Sequence, residues 1–344
     1  MAVLSRLNGV IRQLENGRPA FTSFIFAEIE SAITFAQSSN DGVVFEMEHN
    51  PWDINALRTS LQYMILREQV AKDRSVAPRV TPLVRIPPSG DEMNQWFAKQ
   101  ALDLGAYGII WPRISTPEQA YNAVAACRYA NLPGTPYYEP AGLRGDGPMA
   151  AARYWGLSQQ EYYKKADVWG VHPEGEILVV LMIEDVAGIN NLEHILKQVP
   201  GIGVILFGEG DLSQELGVPR QYEHPEVLRH LRHVLEVGKA NNVAVGHPHV
   251  DAKHIHPHSI EEQTDRAMEA IKSILDHVGA DWHDVVKVTK YLTDFREADA
   301  MHKTMHKYFG DWRPASTTVC INSLSSPGAR IELDMIVALP KKAS

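Results

Sequence analysis

Two acidic residues that follow apolar runs are the first candidates for chemistry in this sequence. Glu184 directly follows the run LVVLMI, and Asp211 lies four residues after the run VILF. Short continuous apolar runs predict buried parallel strands, whose carboxyl ends meet at one edge of a sheet. Two carboxylates at one place repel each other and need a cation, and oxygen ligands of this kind suit Mg²⁺ or Mn²⁺. The sequence therefore predicts a metal site at Glu184 and Asp211. The alternative is two carboxylates that cap loops or helices.

Side chains that serve in proton transfer and anion binding lie at the ends of two earlier apolar runs. The segment FEMEHNPWD contains Glu46, Glu48 and His49, and the segment PLVRIP contains Arg85. Histidine transfers protons near neutral pH, and arginine binds carboxylates and other anions. Together with a metal, these residues predict an active site on the rim of a barrel. The alternatives are a structural histidine and an arginine in an ordinary ion pair.

An alternation of strands and helices is needed to hold these residues at one edge. Seven apolar, strand-like runs occur in the first 250 residues, at 21–26, 42–47, 82–86, 107–111, 178–183, 203–207 and 242–246. Segments with helical spacing separate them, which predicts the α/β class with a parallel sheet that is buried on both faces. Seven units indicate a TIM (β/α)8-type barrel whose last β/α unit is missing. We expect the long connection over residues 130–175 to cover the active face.

The composition changes near residue 247. The stretch HPHVDAKHIHPH holds five histidines, and beyond it Ser259 and Glu262 predict the start of a helix. A separate metal site in this run is an alternative that no fixed Cys/His spacing supports. A strand, a helix and two final strands are predicted after that helix, at 285–292, 295–309, 317–322 and 329–339. The turn segment SLSSPG predicts that the final two strands form an antiparallel β-hairpin. A second module therefore begins at about residue 257.

Charge and composition narrow the range of partners. The chain of 344 residues has a net charge of −9, from 33 basic and 42 acidic residues, and this balance argues against a nucleic-acid surface. No apolar run reaches the roughly 18 residues that a membrane span needs, and the N-terminal segment has no apolar core of the signal-peptide type. The two cysteines, Cys127 and Cys320, fit a reducing compartment. We expect a cytoplasmic protein that binds neither nucleic acid nor membranes.

Six segments of residues 1–252 carry a family resemblance: FEMEHNPWD, PLVRIP, LDLGAYGIIWPRISTPEQA, LRG, LMIED and FGEGDLSQELG. In this order and spacing they resemble the HpcH/HpaI family of metal-dependent aldolases. The resemblance implies a TIM barrel that cleaves or forms 4-hydroxy-2-oxo acids, giving pyruvate and an aldehyde. It also implies a divalent cation as cofactor, Mg²⁺, Mn²⁺ or Co²⁺, and a homo-oligomer.

The resemblance assigns roles to individual residues of this chain. Glu184 and Asp211 would hold the metal. His49 would be the base, supported by Glu46, and Arg85 would face the pyruvyl group and its developing enolate. Substrate contacts are implied for four residues: Arg85, Gly210, Asp211 and Leu212.

Two positions depart from the family's pattern. Glu46 occupies a position where aspartate is usual, and Met182 occupies one where glutamine is frequent. Both departures bear on the identity of the substrate more than on the class of reaction.

Three segments of residues 257–341 carry a second resemblance: IEEQTDRAMEAIKSILDHVGADWHDVVKVTKYLTDFREADAMHKTMHKYFG, RPASTTV and ARIELDMIVAL. They resemble the C-terminal two-thirds of a Rid (YjgF-like) enamine/imine deaminase subunit, whose N-terminal strands have no counterpart here. Ser316 stands where that family usually has the arginine that grips the substrate carboxylate, and Glu332 has lost its partner. We therefore expect no working deaminase site.

The junction of the two resemblances leaves two architectures open. The segments at 285–292 and 295–309 either supply the missing last β/α unit or belong to an attached fragment. In the second case an open barrel would expose two sheet edges, which is unfavourable. We predict domains at 1–252 and 257–341 and the function of a metal-dependent class II aldolase. The alternative is a catalytically inactive barrel with a Rid-like oligomeric binding module.

Overall fold

The computed structural model describes residues 6–87, 93, 95–248, 259–321, 324 and 329–339. The chain divides into two compact units, residues 1–250 and residues 251–344. Each unit has its own cluster of buried apolar side chains. The histidines at 249, 254, 256 and 258 lie outside the described residues.

The first unit is built on one parallel sheet in which neighbouring strands follow each other in sequence. Its seven strands are β1 Thr22–Ile25, β2 Gly42–Glu46, β3 Thr81–Arg85, β4 Gly108–Trp111, β5 Leu178–Ile183, β6 Val204–Phe207 and β7 Ala244–Gly246. Each of the seven predicted strands is present, with bounds that differ by at most a few residues. The sheet is curled, as in a TIM-like barrel. Among the described residues no strand joins β7 to β1, so the predicted barrel type is confirmed only to this extent.

Eleven helices accompany this sheet in the described part of the first unit. They are α1 Gly9–Glu15, α2 Ile29–Ala36, α3 Ile54–Tyr63, α4 Arg67–Asp73, α5 Gln95–Leu104, α6 Pro117–Ala126, α7 Met149–Trp155, α8 Gln159–Lys165, α9 Val186–Gln198, α10 Glu209–Glu215 and α11 Pro225–Ala240. Strands β2, β4 and β5 are buried at every position, as expected of a parallel sheet covered on both faces.

Local signals in the sequence fix where the helices begin. Helix α6 has a capping box, in which Thr116 and Gln119 bond reciprocally, and Pro117 at its first position. Helix α9 is capped by Asp185, whose carboxylate accepts the N–H of Gly188 at 2.5 Å. Because this cap directly follows Glu184, it ends β5 in a tight turn and leaves the Glu184 side chain at the strand end.

The connection over residues 130–175 does not cover the predicted active edge, so that expectation was wrong. It contains α7 and α8 and leads from α6 into the N-terminal end of β5. Arg6, which precedes α1, donates to the backbone carbonyls of Pro173 and Gly175, which fixes the end of this connection. A segment that enters a strand lies at the strand's N-terminal edge, whereas the predicted site residues follow the C-terminal ends.

The second unit is a three-stranded sheet with two long helices. Its elements are α12 Ile260–Val278, β8 Val285–Leu292, α13 Ala298–Phe309, β9 Ala315–Cys320 and β10 Ile331–Val337, with short 3₁₀ turns at Trp282–Asp284 and Phe295–Glu297. Ser259 caps α12 by accepting the N–H of Glu262, as its sequence predicted. Ile260, Met268 and Leu275 of α12 are buried in the core of its own unit, whereas Ile274 is exposed.

The pairing of the last strands differs from the predicted hairpin. Strand β8 lies in the centre, antiparallel to β10 and parallel to β9, so that β9 and β10 are not neighbours. Residues 285–292 therefore belong to this second sheet rather than supplying the eighth strand of the barrel. Val285, Val288 and Leu292 of β8 are buried, and this strand holds the central place that the two other strands flank.

None of the described helices is both long and apolar enough to cross a membrane. Cys127 is buried and Cys320 is exposed, and both are free thiols.

Candidate active site

The C-terminal ends of consecutive strands of the first sheet bring the candidate residues to one edge. Glu46 and Arg85 are the last residues of β2 and β3, and Glu184 directly follows β5. Asp211 lies in the first turn of α10, which follows β6, and His247 follows β7. Because all seven strands run parallel in sequence order, these positions share one rim.

The register of β2 and β3 makes Glu46 and Arg85 direct neighbours. The carboxylate of Glu46 accepts the Nε–H of Arg85 at 2.6 Å and pairs with its Nη2 as well. The guanidinium also lies 4.7 Å from the centre of the Phe24 ring on β1. Both nitrogens, Nε and Nη2, contact the same oxygen of Glu46, and this paired contact holds the guanidinium in one orientation. Its Nη1 lies 3.2 Å from Glu48 and donates to the Met182 sulfur at 3.7 Å.

Glu46 supports His49 through the backbone rather than through the imidazole. The other oxygen of Glu46 accepts the N–H groups of Glu48 and His49, at 2.8 and 3.1 Å. The imidazole Nε2 instead lies 3.6 Å from a carboxylate oxygen of Glu48, and the His49 side chain is 68% exposed. Glu46 therefore shapes the turn after β2, and Glu48 is the acid beside the predicted base.

Three carboxylates at this rim influence one another. Burial raises the pKa of Glu48 to about 7, and the charges of Glu46 and Asp211 add to the rise, while Arg85 and Arg113 oppose it. Burial also raises the pKa of Glu184 to about 7, with the charges of Glu48 and Asp211 adding to it. Glu184 is 3% exposed, and Gly208 allows the β6 end to pass close to it, because a Cβ at Gly208 would clash with the Glu184 side chain. The rim therefore carries more negative charge than its cations offset.

Helix α10 presents Asp211 and the residues around it. The Asp211 side chain is 47% exposed. Gly210 lies beside it in the first turn, where the N–H groups have no partner within the helix. Leu212 is fully buried, and its N–H donates to the carbonyl of Gly208 at 3.4 Å. Of the predicted substrate contacts on this helix, Gly210 and Asp211 are accessible and Leu212 packs in the core.

Arg113 belongs to this site, and sequence reasoning missed it. Its N–H donates to Glu184 at 2.7 Å, and its guanidinium lies 3.7 Å from Asp211. Its φ of +57° places a non-glycine residue in the left-handed region, which costs about 1 kcal/mol and is typical of functional sites. The sequence does contain a signal for this residue, because Arg113 is a basic residue two positions after the apolar run GIIW.

A carboxylate–imidazole pair lies at the neighbouring strand ends. The Nε2 of His247 is 2.7 Å from an oxygen of Glu209, the first residue of α10, and the imidazole ring stacks near Phe207. Of the five histidines in the stretch 247–258, His247 alone falls within the described residues. The alternative of a separate metal site in that stretch therefore lies outside the described residues.

The rim suits a divalent cation by its chemistry. Its donors are carboxylate oxygens, which Mg²⁺ and Mn²⁺ prefer, and a bound cation would lower the raised pKa values of Glu48 and Glu184. Within the described ranges, no group of three or more His, Cys, Asp or Glu side chains is already gathered at ligand distances. The two predicted ligands are Glu184, which follows β5, and Asp211, in the helix that follows β6.

Comparisons with known proteins support the family and the fold. A family model described as HpcH/HpaI aldolase/citrate lyase matches residues 25–282. The chain is 29% identical over 242 residues to the hydroxypyruvate/pyruvate aldolase of Roseobacter denitrificans, covering 69% of this chain and 82% of that protein. It is 31% identical over 244 residues to the 4-hydroxy-2-oxovalerate aldolase of Rhodococcus jostii, covering 70% and 82%.

A solved structure supports the fold independently of these sequences. An HpcH/HpaI aldolase/citrate lyase family protein from Burkholderia cenocepacia J2315 aligns with a TM-score of 0.57 at 22% identity, covering 90% of this chain and 92% of that one. The family match ends at residue 282, so the Rid-like resemblance of residues 257–341 and the domain boundaries stay predictions. The match spans well over half of the chain, and the chain belongs to the HpcH/HpaI aldolase/citrate lyase family of carbon–carbon lyases.

Proposed function

We propose that this chain is a divalent-metal-dependent aldolase that cleaves or forms 4-hydroxy-2-oxo acids, giving pyruvate and an aldehyde. The observation that carries the proposal is the cluster of Glu48, Glu184 and Asp211 at a rim that also holds Arg85 and Arg113. Burial, together with neighbouring carboxylates, raises the pKa of Glu48 and of Glu184 to about 7. A cluster of this kind is unfavourable without a cation. Family members are generally dependent on a divalent metal.

Glu184 and Asp211 are the residues that would hold the cation, Mg²⁺, Mn²⁺ or Co²⁺. When bound, the cation supplies Lewis acidity at the keto oxygen of a 2-oxo acid.

Arg85 would bind the pyruvyl group and stabilise the enolate that develops there. Its Nε and Nη2 are committed to Glu46, and its Nη1 lies 3.2 Å from Glu48. The Nη1 also donates to the Met182 sulfur at 3.7 Å, a weak hydrogen bond that a substrate anion would replace. Because Glu46 and Glu48 hold the guanidinium in place, little reorganisation is needed when charge develops.

His49 would remove the 4-hydroxyl proton, directly or through a water molecule, after which the C3–C4 bond breaks. Its imidazole is exposed and lies beside Glu48, whose pKa of about 7 suits a group that exchanges protons near neutral pH. The same pair would return a proton to the pyruvate carbon. Gly210, in the first turn of α10, leaves open space for the substrate next to Asp211.

Metal-dependent release of pyruvate tests this proposal. The protein is treated with a chelator, dialysed and assayed with a 4-hydroxy-2-oxo acid before and after addition of Mn²⁺. We expect activity to disappear on chelation and to return with the metal. Activity that persists after chelation contradicts the metal role, and inactivity under both conditions would favour the inactive barrel with a binding module.

We also propose that the chain forms a homo-oligomer. Three large apolar side chains on and beside β1 are exposed, those of Phe21, Phe24 and Phe26. Exposed apolar patches of this kind mark contact surfaces. Light scattering during size exclusion should therefore give a multiple of the 38.4 kDa chain mass.

A further inference from the structure

A lysine is buried in the second unit. Lys290 lies on β8 and is 5% exposed. Val288 and Leu292, two positions before and after it, are also buried. Alternate positions of a strand share one face, so the Lys290 side chain extends on the face that the core of this unit covers.

The amine of Lys290 has a histidine and a serine as neighbours. Its Nζ lies 3.0 Å from Nε2 of His302 on α13 and donates to Oγ of Ser316 on β9 at 3.3 Å. Among the described residues, no carboxylate lies within ion-pair distance of this Nζ. A buried ammonium without a counter-charge is costly, and burial accordingly lowers the pKa of Lys290.

His302 is suited to accept a proton from this amine. Burial and the charge of Lys290 both lower the pKa of His302, while Asp299 on the same helix opposes them. The imidazole is therefore neutral at pH 7, with a ring nitrogen available as a base. His302 and Ser316 are both exposed, so the two side chains that contact the amine border the surface.

We propose that the Lys290 amine is a capture site for small carbonyl compounds, namely aldehydes or 2-oxo acids, with His302 as proton acceptor and Ser316 as hydrogen-bond partner of the adduct. The lone pair of the neutral Nζ attacks the carbonyl carbon, and a C–N bond forms as the C=O π bond breaks. The nitrogen then gives up a proton to His302, and the oxygen takes up a proton to give a carbinolamine. Loss of water then gives the imine, and addition of water reverses the step. No electrons are gained or lost, and no co-reactant other than water is required.

This site is separate from the proposed aldolase centre. It lies in the second unit and uses none of the rim residues of the first sheet. Its function therefore does not depend on the metal, and it can be measured in chelated protein. The carbonyl compounds that it would capture are of the two classes that an aldol cleavage releases.

Reductive trapping of the full-length protein tests the proposal. Chelated protein is incubated at pH 7 with acetaldehyde or with pyruvate, in separate samples, together with cyanoborohydride, and the modified lysines are identified by peptide mass mapping. The matched control is Lys287, which lies three residues earlier on the same strand and is exposed. An ordinary lysine is deprotonated to roughly 0.04% at pH 7, and each unit of lowered pKa raises that fraction tenfold.

We expect Lys290 to be modified at least about tenfold faster than Lys287 by one of the two probes, and the more reactive probe identifies the carbonyl class. Modification of Lys290 that is no faster than that of Lys287 with both probes would overturn the proposal. In His302→Gln the rate at Lys290 should fall at least about fivefold while Lys287 is unaffected, and an unchanged rate would contradict the role of His302. Lys290→Met, which keeps the length and burial of the side chain, should remove the selective adduct and leave the melting temperature at least as high.

Discussion

Replacing Glu184 with glutamine should make the metal-free protein more stable, which is the reverse of the usual effect at a buried residue. The carboxyl is 3% exposed, and its pKa is raised from 4.5 to about 7 by burial and by the charges of Glu48 and Asp211. A rise of this size corresponds to about 3 kcal/mol of unfavourable free energy carried by the ionised form. Glutamine removes the charge and keeps an oxygen that accepts the N–H of Arg113, at a cost of about 1 kcal/mol for the new buried amide. We therefore expect the free energy of unfolding at pH 8 to rise by about 2 kcal/mol.

The dependence on pH follows from the same shift. A carboxyl whose pKa is raised in the folded state binds more protons when folded, so stability falls as pH rises between the two pKa values. The penalty is absent below about pH 4.5, grows up to about pH 7 and is complete above it. The advantage of Glu184→Gln should therefore shrink as pH falls and vanish near pH 5, where the ionisation penalty equals the cost of about 1 kcal/mol for the amide, and below that pH the variant should be the less stable protein.

Urea unfolding with and without Mn²⁺ measures both parts of this prediction. Added metal should stabilise the wild type as a ligand that binds only the folded state, and should have little effect on Glu184→Gln. Asp167→Asn is the matched control, since the Asp167 carboxylate pairs with the fully buried Arg128 at 2.6 and 2.9 Å. That change should cost about 3 kcal/mol, because it leaves a buried guanidinium without a counter-charge, and it should preserve the response to metal. A destabilised Glu184→Gln variant that still responds to Mn²⁺ would show that Glu184 is a structural carboxylate.

Three further substitutions test the other roles. His49→Ala should lower kcat by roughly 10²- to 10⁴-fold with little change in KM, and an unchanged kcat would transfer the role of base to Glu48. Asp211→Asn should weaken Mn²⁺ binding by at least about tenfold in isothermal titration calorimetry, because a neutral amide replaces a charged ligand; equal affinity would remove Asp211 from the metal site. Arg85→Lys keeps the charge but not the paired contact with Glu46, and should lower kcat/KM by at least about tenfold. A kcat/KM equal to that of the wild type would contradict the proposal that Arg85 binds the pyruvyl group.

The strands and the strand-end residues of the first unit were predictable because their signals are local. The apolar runs that became β2, β4 and β5 are buried at every position, and length and flanking residues were sufficient to identify them. Once the strands are parallel and in order, Arg85 and Glu184 must share an edge, whatever the details of packing. The capping signal of Ser259 and Glu262 was also readable, because a cap depends on only three or four consecutive residues.

Pairing across the chain and burial were decided by the tertiary structure alone. The sequence could not place β8 between β9 and β10, because the choice of strand partners depends on which apolar faces remain uncovered after collapse. The sequence also could not predict the pKa of about 7 at Glu48, since that shift comes from burial and from charges on other strands. The roles of Arg113 and Lys290 could not be predicted for the same reason, because the groups that surround them are distant in sequence. Residue type and local pattern determined which groups this protein can use, and three-dimensional packing determined which of them meet and in what state of charge.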